Sequence, residues 1–296
     1  MSAVVVPAPV GIRQHAELSL GRRRLTGAAA RAACALAVLV TLTPLAALVA
    51  YTAAKGVGAL SVDFFVHTTR PEGIPGGGIA NALVGTAIID GVALALAVPL
   101  GLLVSLVLVE RDGRVAAVIR FGANVLAGLP SIVIGLFAYV VVVAPLHHFS
   151  ALSGSIALAV LMLPVMIRAD EEALRGVPDD LWEAGLALGA PQPRVVRSVV
   201  VRTALPGLVT GNLLALARAV GETAPLLFTA IGSQLFTLSP AQPMASMPLT
   251  VYLDGTQPFP DMQRAAWGTA FVLLLAVLAI SLAGRFLAAR LTRNAR

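Results

Sequence analysis

Residues 79–109 read IANALVGTAIIDGVALALAVPLGLLVSLVLV, and Asp90 is the only charged side chain among them. As a helix this stretch exceeds the ~30 Å of hydrocarbon in a bilayer. A helix apolar on every side has no face to offer water, so it belongs in lipid or in a bundle. Working outward, comparable blocks occur at 32–54, 124–145, 152–167, 207–236 and 265–287, the 152–167 block needing its flanks to reach across. The expected fold class is therefore an all-α membrane protein with six transmembrane helices. Composition agrees: 58% of the 296 residues are hydrophobic and 12% charged, against a charged share of about 25% in an ordinary soluble domain. Mean hydropathy is +0.89.

The net charge of +6 comes from arginines lying between the apolar blocks, not from one stripe or patch, which excludes a nucleic-acid footprint. With the N-terminus in the cytoplasm, 17 of the 21 basic residues fall on inner segments. Arg13, Arg22, Arg23, Arg24 and Arg31 precede the first span, Arg111, Arg114 and Arg120 follow the second, and Arg168, Arg175, Arg194, Arg197 and Arg202 follow the fourth. Arg285, Arg290, Arg293 and Arg296 close the chain. The outer loops hold Lys55, Arg70 and Arg264. This asymmetry places both termini in the cytoplasm and predicts a multi-pass protein of the cell membrane in contact with lipid. The first apolar run starts only after Arg31 and is too long for a cleaved signal, so it reads as a retained span. Residues 1–30 are expected as a cytoplasmic tail, 31–290 as the membrane domain and 291–296 as a second tail. Cys34, the only cysteine, supports neither a disulfide nor a thiol metal cluster.

The long inner loop at 168–206 needs a purpose. Asp179-Asp180-Leu181-Trp182-Glu183 reads as a helix start, with Asp180 and Glu183 at capping-box spacing. Leu181, Ala184 and Leu188 recur at helical intervals, and Gly189 suits a left-handed terminator. Trp182 is expected to anchor this short helix in another protein's pocket; a helix lying on the bilayer surface is the alternative. Gly207 and Gly211, four apart, are expected to let helices approach closely.

Glu183-Ala184-Gly185, then Gly189 after three residues, resembles the EAA loop of permeases of binding-protein-dependent ABC importers, with Gly185 where that family prefers alanine. The resemblance implies the type I permease fold, in which this loop is a cytoplasmic coupling helix docked on an ATPase, with Trp182, Glu183, Ala184 and Gly189 at the contact. A second resemblance is to the phosphate importer permeases, closer to their A-type subunit. Arg218-Ala219-Val220-Gly221-Glu222-Thr223-Ala224-Pro225 is similar to their RAxGETxP segment, and Leu129-Pro130-Ser131-Ile132 to their LxGxPSIxxG stretch. Gly76-Gly77-Gly78-Ile79 with Asn81, Gly85 and Thr86, and Met247-Pro248-Leu249 with Tyr252, match further positions. The implied function is permeation of inorganic phosphate. The implied partners are an ATPase subunit dimer, a sister permease of the C type and an extracellular phosphate-binding protein.

Arg218 and Glu222 are read as charges within the fifth span, four apart and so on one helix face. Charge at such depth is costly enough to need a partner or water. Arginine's fork of donors fits an oxyanion, so Arg218, Glu222, Thr223 and, by the resemblance, Arg168 are the candidate substrate pathway. A buried ion pair that only fixes helix register is the competing reading, and a positive-inside anchor competes for Arg168. Pro225 is expected to bend the span one turn later. His147 and His148 read as solvated turn residues, no spacing supports a metal site, and Asp90 stands unexplained within the second span. No G-x-x-x-x-G-K-[ST] loop occurs and no nucleophile stands beside a base. The chain is thus expected to be neither an enzyme nor a cofactor binder, with ATP used by a partner subunit. Permeation of another oxyanion, such as sulfate or molybdate, and a self-sufficient secondary transporter are the alternatives.

Overall fold

A computed structural model describes residues 10–71, 74, 76–111 and 113–294. Residues 1–9 of the expected N-terminal tail, and Ala295 and Arg296 of the C-terminal one, lie outside the described residues. In chain order the helices are α1 (Val10–Gly56), α2 (Val62–Val66), α3 (Ala80–Glu110), α4 (Arg114–Gly128), α5 (Ser131–Leu146) and α6 (Ala151–Arg175). After these come α7 (Asp179–Ala187), α8 (Gln192–Ala219), α9 (Ala224–Thr229), α10 (Met247–Gly255) and α11 (Pro260–Asn294). There is no strand among the described residues, as expected where hydrocarbon leaves no water to satisfy an open sheet edge. The chain divides into two units, 1–51 and 52–296. The described part of the first is helical from Val10, and the second holds the packed bundle and every candidate site residue.

Five helices are long and apolar enough to cross a membrane: α1 through Thr26–Ala59, α3, α6, α8 and α11. The expected third span is not one straight helix. α4 and α5 meet at a bend of 104°, because Leu129 and Pro130 are both extended and proline has no N–H to continue the ladder. The expected fifth span at 207–236 is also corrected: its helix already begins at Gln192 and stops at Ala219. The inner loop is correspondingly shorter than 168–206, since α6 continues through Arg175.

α6 is the helix on which α3, α4, α5, α8 and α9 pack. Its Leu158, Met162 and Met166 join Ile89, Ala93 and Ala97 of α3, Ala215 and Ala219 of α8, and Leu249 of α10 in one buried cluster. In lipid such packing is held by close van der Waals contact, not by expulsion of water. Gly207 and Gly211 behave as expected: a Cβ on them would lie 2.7 Å from Ala173 Cβ and 2.5 Å from Ala169 Cβ. Between the same helices Asn212 Nδ2 donates to Asp170 Oδ1 at 2.8 Å, and Asp170 is wholly buried.

Both ends of α6 are tied by its orphan backbone groups or by charge. At its start, Ser153 N donates to Ser150 Oγ (3.1 Å), Ala151 N to Gln242 O (2.9 Å) and Leu152 N to Pro240 O (2.8 Å), which satisfies donors that a helix start leaves open. At its other end, Arg120 and Arg175 both reach Glu171 Oε1. Each also donates to Leu108 O at 3.1 Å, an orphan carbonyl of the last turn of α3. The motif residues at the start of α3 have mechanical reasons. Asn81 Nδ2 donates to Ser233 O (2.9 Å) and Thr69 Oγ1 (2.8 Å). Thr86 Oγ1 accepts from Met247 N at 2.8 Å, and a Cβ at Gly85 would lie 1.9 Å from Ala245 O.

Gly211→Ala should destabilise the protein by about 1–3 kcal/mol through overpacking, read as a lowered thermal midpoint in detergent. The double variant Gly211→Ala with Ala169→Gly should recover part of the loss.

Candidate substrate pathway and coupling surface

Two interruptions of helix meet at one level. The first is Leu129-Pro130, between α4 and α5. The second is residues 220–223, between α8 and α9. They are held together by α5 against α9: a Cβ at Gly135 would lie 2.7 Å from Pro225 Cα, so only glycine allows that approach. Pro225 does not bend an existing helix. It sits in the first turn of α9, where a missing N–H costs nothing.

Beside this junction lies a cavity of about 200 Å³, lined by residues that include Leu126, Pro130, Ser131, Pro164, Arg218 and Glu222. Pro164 is close to the midpoint of α6, roughly 20 Å along the axis from Ala151, so the cavity sits at mid-height of the bundle. Arg218 occupies the last turn of α8, the end at which the helix dipole favours a cation. Glu222 is not inside the helix with it. It lies past the helix end, where Gly221 N (3.3 Å to Arg218 O) and Glu222 N (2.9 Å to Ala219 O) fold the chain back. The carboxylate still comes within 4.0 Å of Arg218 Nε, at the outer limit of an ion pair. The guanidinium side chain is 60% exposed and the carboxylate 19%, so the arginine keeps donors open to the cavity. Thr223 does not line the cavity; it precedes α9 and its carbonyl accepts from Leu227 N at 3.1 Å.

Arg168 is not in the same cavity. It stands one turn beyond Pro164 on α6, about 6 Å further along the axis, where its guanidinium donates to Asn124 Oδ1 of α4. One more turn on comes the Arg120–Glu171–Arg175 cluster. The α4–α6 seam thus carries arginine at successive levels from the cavity toward α7. Composition and spacing gave no signal for Ser131, Asn124 or Glu171 as members of this line, because each joins it only through the 104° bend and the packing of α4 on α6.

The coupling helix departs from expectation in which side faces out. Pro178 is its N-cap and no side chain caps it; Asp179 and Asp180 act in the first turn through the helix dipole instead of through a capping box. Trp182 faces the bundle, packed with Leu174, Val200 and Ala204, so it anchors α7 to its own protein. Gly185 is explained by the same contact: a Cβ there would lie 2.9 Å from Val195 Cγ1. Gly189 has φ +76°, the left-handed terminator. The outward face carries Leu181, Glu183, Ala184 and Leu186, with Leu188 at 88% exposure.

A second cavity of about 520 Å³, lined among others by Thr69, Ser233, Gln234, Thr250, Asp254 and Gln257, lies among the segments that Asn81 ties together. Burial pushes the Asp254 carboxyl up to about 6.

A bundle of membrane-crossing helices with a short exposed helix between two of its crossings is the architecture of an importer permease. The methionine ABC transporter MetNI in inward-facing form aligns with 72% of this chain and 95% of its own, at a TM-score of 0.59 and 22% identity. The chain belongs to the family of binding-protein-dependent transport system inner membrane components, whose pattern it matches over residues 97–296. Among its relatives are the phosphate transport system permease proteins PstA of Xylella fastidiosa, 40% identical over 91% of this chain and 94% of that protein, and of Yersinia pestis, 39% identical over 81% and 82%. PstA 1 of Mycobacterium tuberculosis is 41% identical over 92% of this chain and 91% of its own.

If Trp182 holds α7 from within, Trp182→Ala should lower the thermal midpoint of the purified protein, by an amount equivalent to roughly 2 kcal/mol. Leu188→Ser, on the exposed face, should leave the midpoint unchanged.

Proposed function

We propose that the chain is the permease subunit of an ATP-driven importer that carries inorganic phosphate into the cell. The observation that carries this reading is Arg218: a permanently charged guanidinium, loosely held by Glu222, opening on a mid-height cavity. The names of the 39–42% identical relatives support phosphate as the cargo. Guanidinium N–H groups match the spacing of phosphate oxygens and stay charged at any working pH. A phosphate entering the cavity competes with Glu222 for Arg218. An ion pair at 4.0 Å gives up little when it is exchanged for charge-assisted hydrogen bonds at normal length. Arg168, at the next level toward the cytoplasm, then receives the anion.

The energy comes from a separate ATPase dimer bound at α7, whose outward face of Leu181, Ala184 and Leu188 with Asp179, Asp180 and Glu183 offers apolar contact inside an acidic rim. Both termini are cytoplasmic, as the arginine distribution requires. The outer segments around 60–78 and 238–263 receive an extracellular phosphate-binding protein, and a sister permease of the C type closes the pathway on the side where Leu129, Pro130 and Arg218 are exposed.

In cells lacking their own A-type permease, the native chain should restore uptake of labelled phosphate, and Arg218→Ala should reduce it about 10- to 100-fold at equal membrane level, the weight of hydrogen bonds to a charged group. Arg218→Lys should fall between the two. Uptake at the native rate by Arg218→Ala would contradict the pathway. Restoration of sulfate or molybdate uptake in place of phosphate would contradict the cargo.

A further inference from the structure

We infer that Ser131 is a second substrate-contacting residue, its hydroxyl and backbone N–H facing Arg218 across the same cavity. This rests on the proposed phosphate pathway and adds the wall opposite the arginine. Of the residues lining the cavity, Ser131, Arg218 and Glu222 are the only ones with polar side chains; the rest are Leu, Ala, Pro, Ile and Val. An apolar chamber with three convergent polar groups is the ordinary make-up of a small-ligand site. Arg218 and Ser131 can donate and Glu222 can accept, so the donors, on two opposed helices, define where an anion sits.

Ser131 is also unspent. Its hydroxyl makes no hydrogen bond to another described residue, and neither do the N–H groups of Ser131 and Ile132. The next two amides turn instead to Pro130 O, from Val133 N at 2.9 Å and Ile134 N at 3.4 Å. The residue in the N-cap position is Pro130, which has no side-chain oxygen to occupy those donors. At this depth such groups need a partner or a cavity to line, and Ser131 lines the cavity that Arg218 also lines. The orientation is fixed independently: Ser131 lies one turn before Gly135, on the face of α5 that presses against Pro225. The register that brings α5 onto α9 therefore also aims Ser131 at the turn carrying Arg218 and Glu222.

The test uses the whole importer in proteoliposomes, with phosphate-loaded binding protein at saturation and the amount of assembled complex fixed by its co-purified ATPase. Ser131→Ala should transport phosphate about tenfold more slowly, the size of one hydrogen bond to a charged group. Ser131→Pro removes the N–H as well, at a first-turn position where proline suits the helix, and should be slower still. Ser131→Thr keeps the hydroxyl and should transport near the native rate. Native rates in Ser131→Ala and Ser131→Pro, with Arg218→Ala slow, would overturn the inference and leave the pathway standing. Equal loss in Ser131→Thr, or failure of Ser131→Ala to assemble, would assign the residue to packing and overturn it too. A native rate in Arg218→Ala would remove the pathway itself, and this inference with it.

Discussion

An interrupted helix inside hydrocarbon leaves backbone donors and acceptors that must be buried in protein or line a cavity. This chain interrupts two, at Leu129-Pro130 and at residues 220–223, and seats them side by side. The contact that makes this feasible is Gly135 on Pro225, where a single added carbon would collide. Everything proposed for transport depends on that contact. It places Arg218 and Ser131 on one small space, and it turns the unsatisfied first turn of α5 from a defect into a feature of the site. Ligand sites built from discontinuous helices recur in membrane transport for the same reason: half-helix ends supply oriented dipoles where a straight helix has none to spare.

The same packing connects the site to α7. α7 is held by Trp182 on a cluster shared by α6, through Leu174, and α8, through Val200, Ala204 and Leu208. These two helices carry Pro164 and Arg218 into the cavity. Their mutual fit is close, with Gly207 and Gly211 against Ala173 and Ala169, so a displacement of α7 has little slack to absorb it before it reaches Arg218. The arginine cluster on Glu171 and Leu108 O fixes α4 to the same frame.

Much of the fold is legible in the sequence because apolar length and arginine placement are one-dimensional signals. The crossings at α1, α3, α6 and α11 derive directly from them. The breaks are not legible in full. Hydropathy runs smoothly through Leu129-Pro130, the polar residues at 220–223 sit inside a longer apolar block, and proline alone does not say whether a helix bends, as expected at Pro225, or restarts, as it does there. The site is partly legible. Arg218 and Glu222 stand out as charges in an apolar block, whereas Ser131 enters the sequence only within the Leu129-Pro130-Ser131-Ile132 stretch, and its place beside Arg218 comes from the shared cavity. Trp182 turns inward against expectation for a related reason: spacing shows that a helix has a large apolar residue but not toward which neighbour it points. Gly185 carries the missing hint, since its lack of a Cβ marks the side of α7 that lies against Val195.

The most direct measurement is an electron cryo-microscopy map of the complete importer stalled with phosphate in transit. Tetrahedral density is expected in the cavity between α5 and the end of α8, within hydrogen-bond distance of the Arg218 guanidinium and of Ser131, with Glu222 drawn away from its 4.0 Å pairing. Phosphate density elsewhere in the bundle, with Arg218 still held by Glu222, would contradict this pathway.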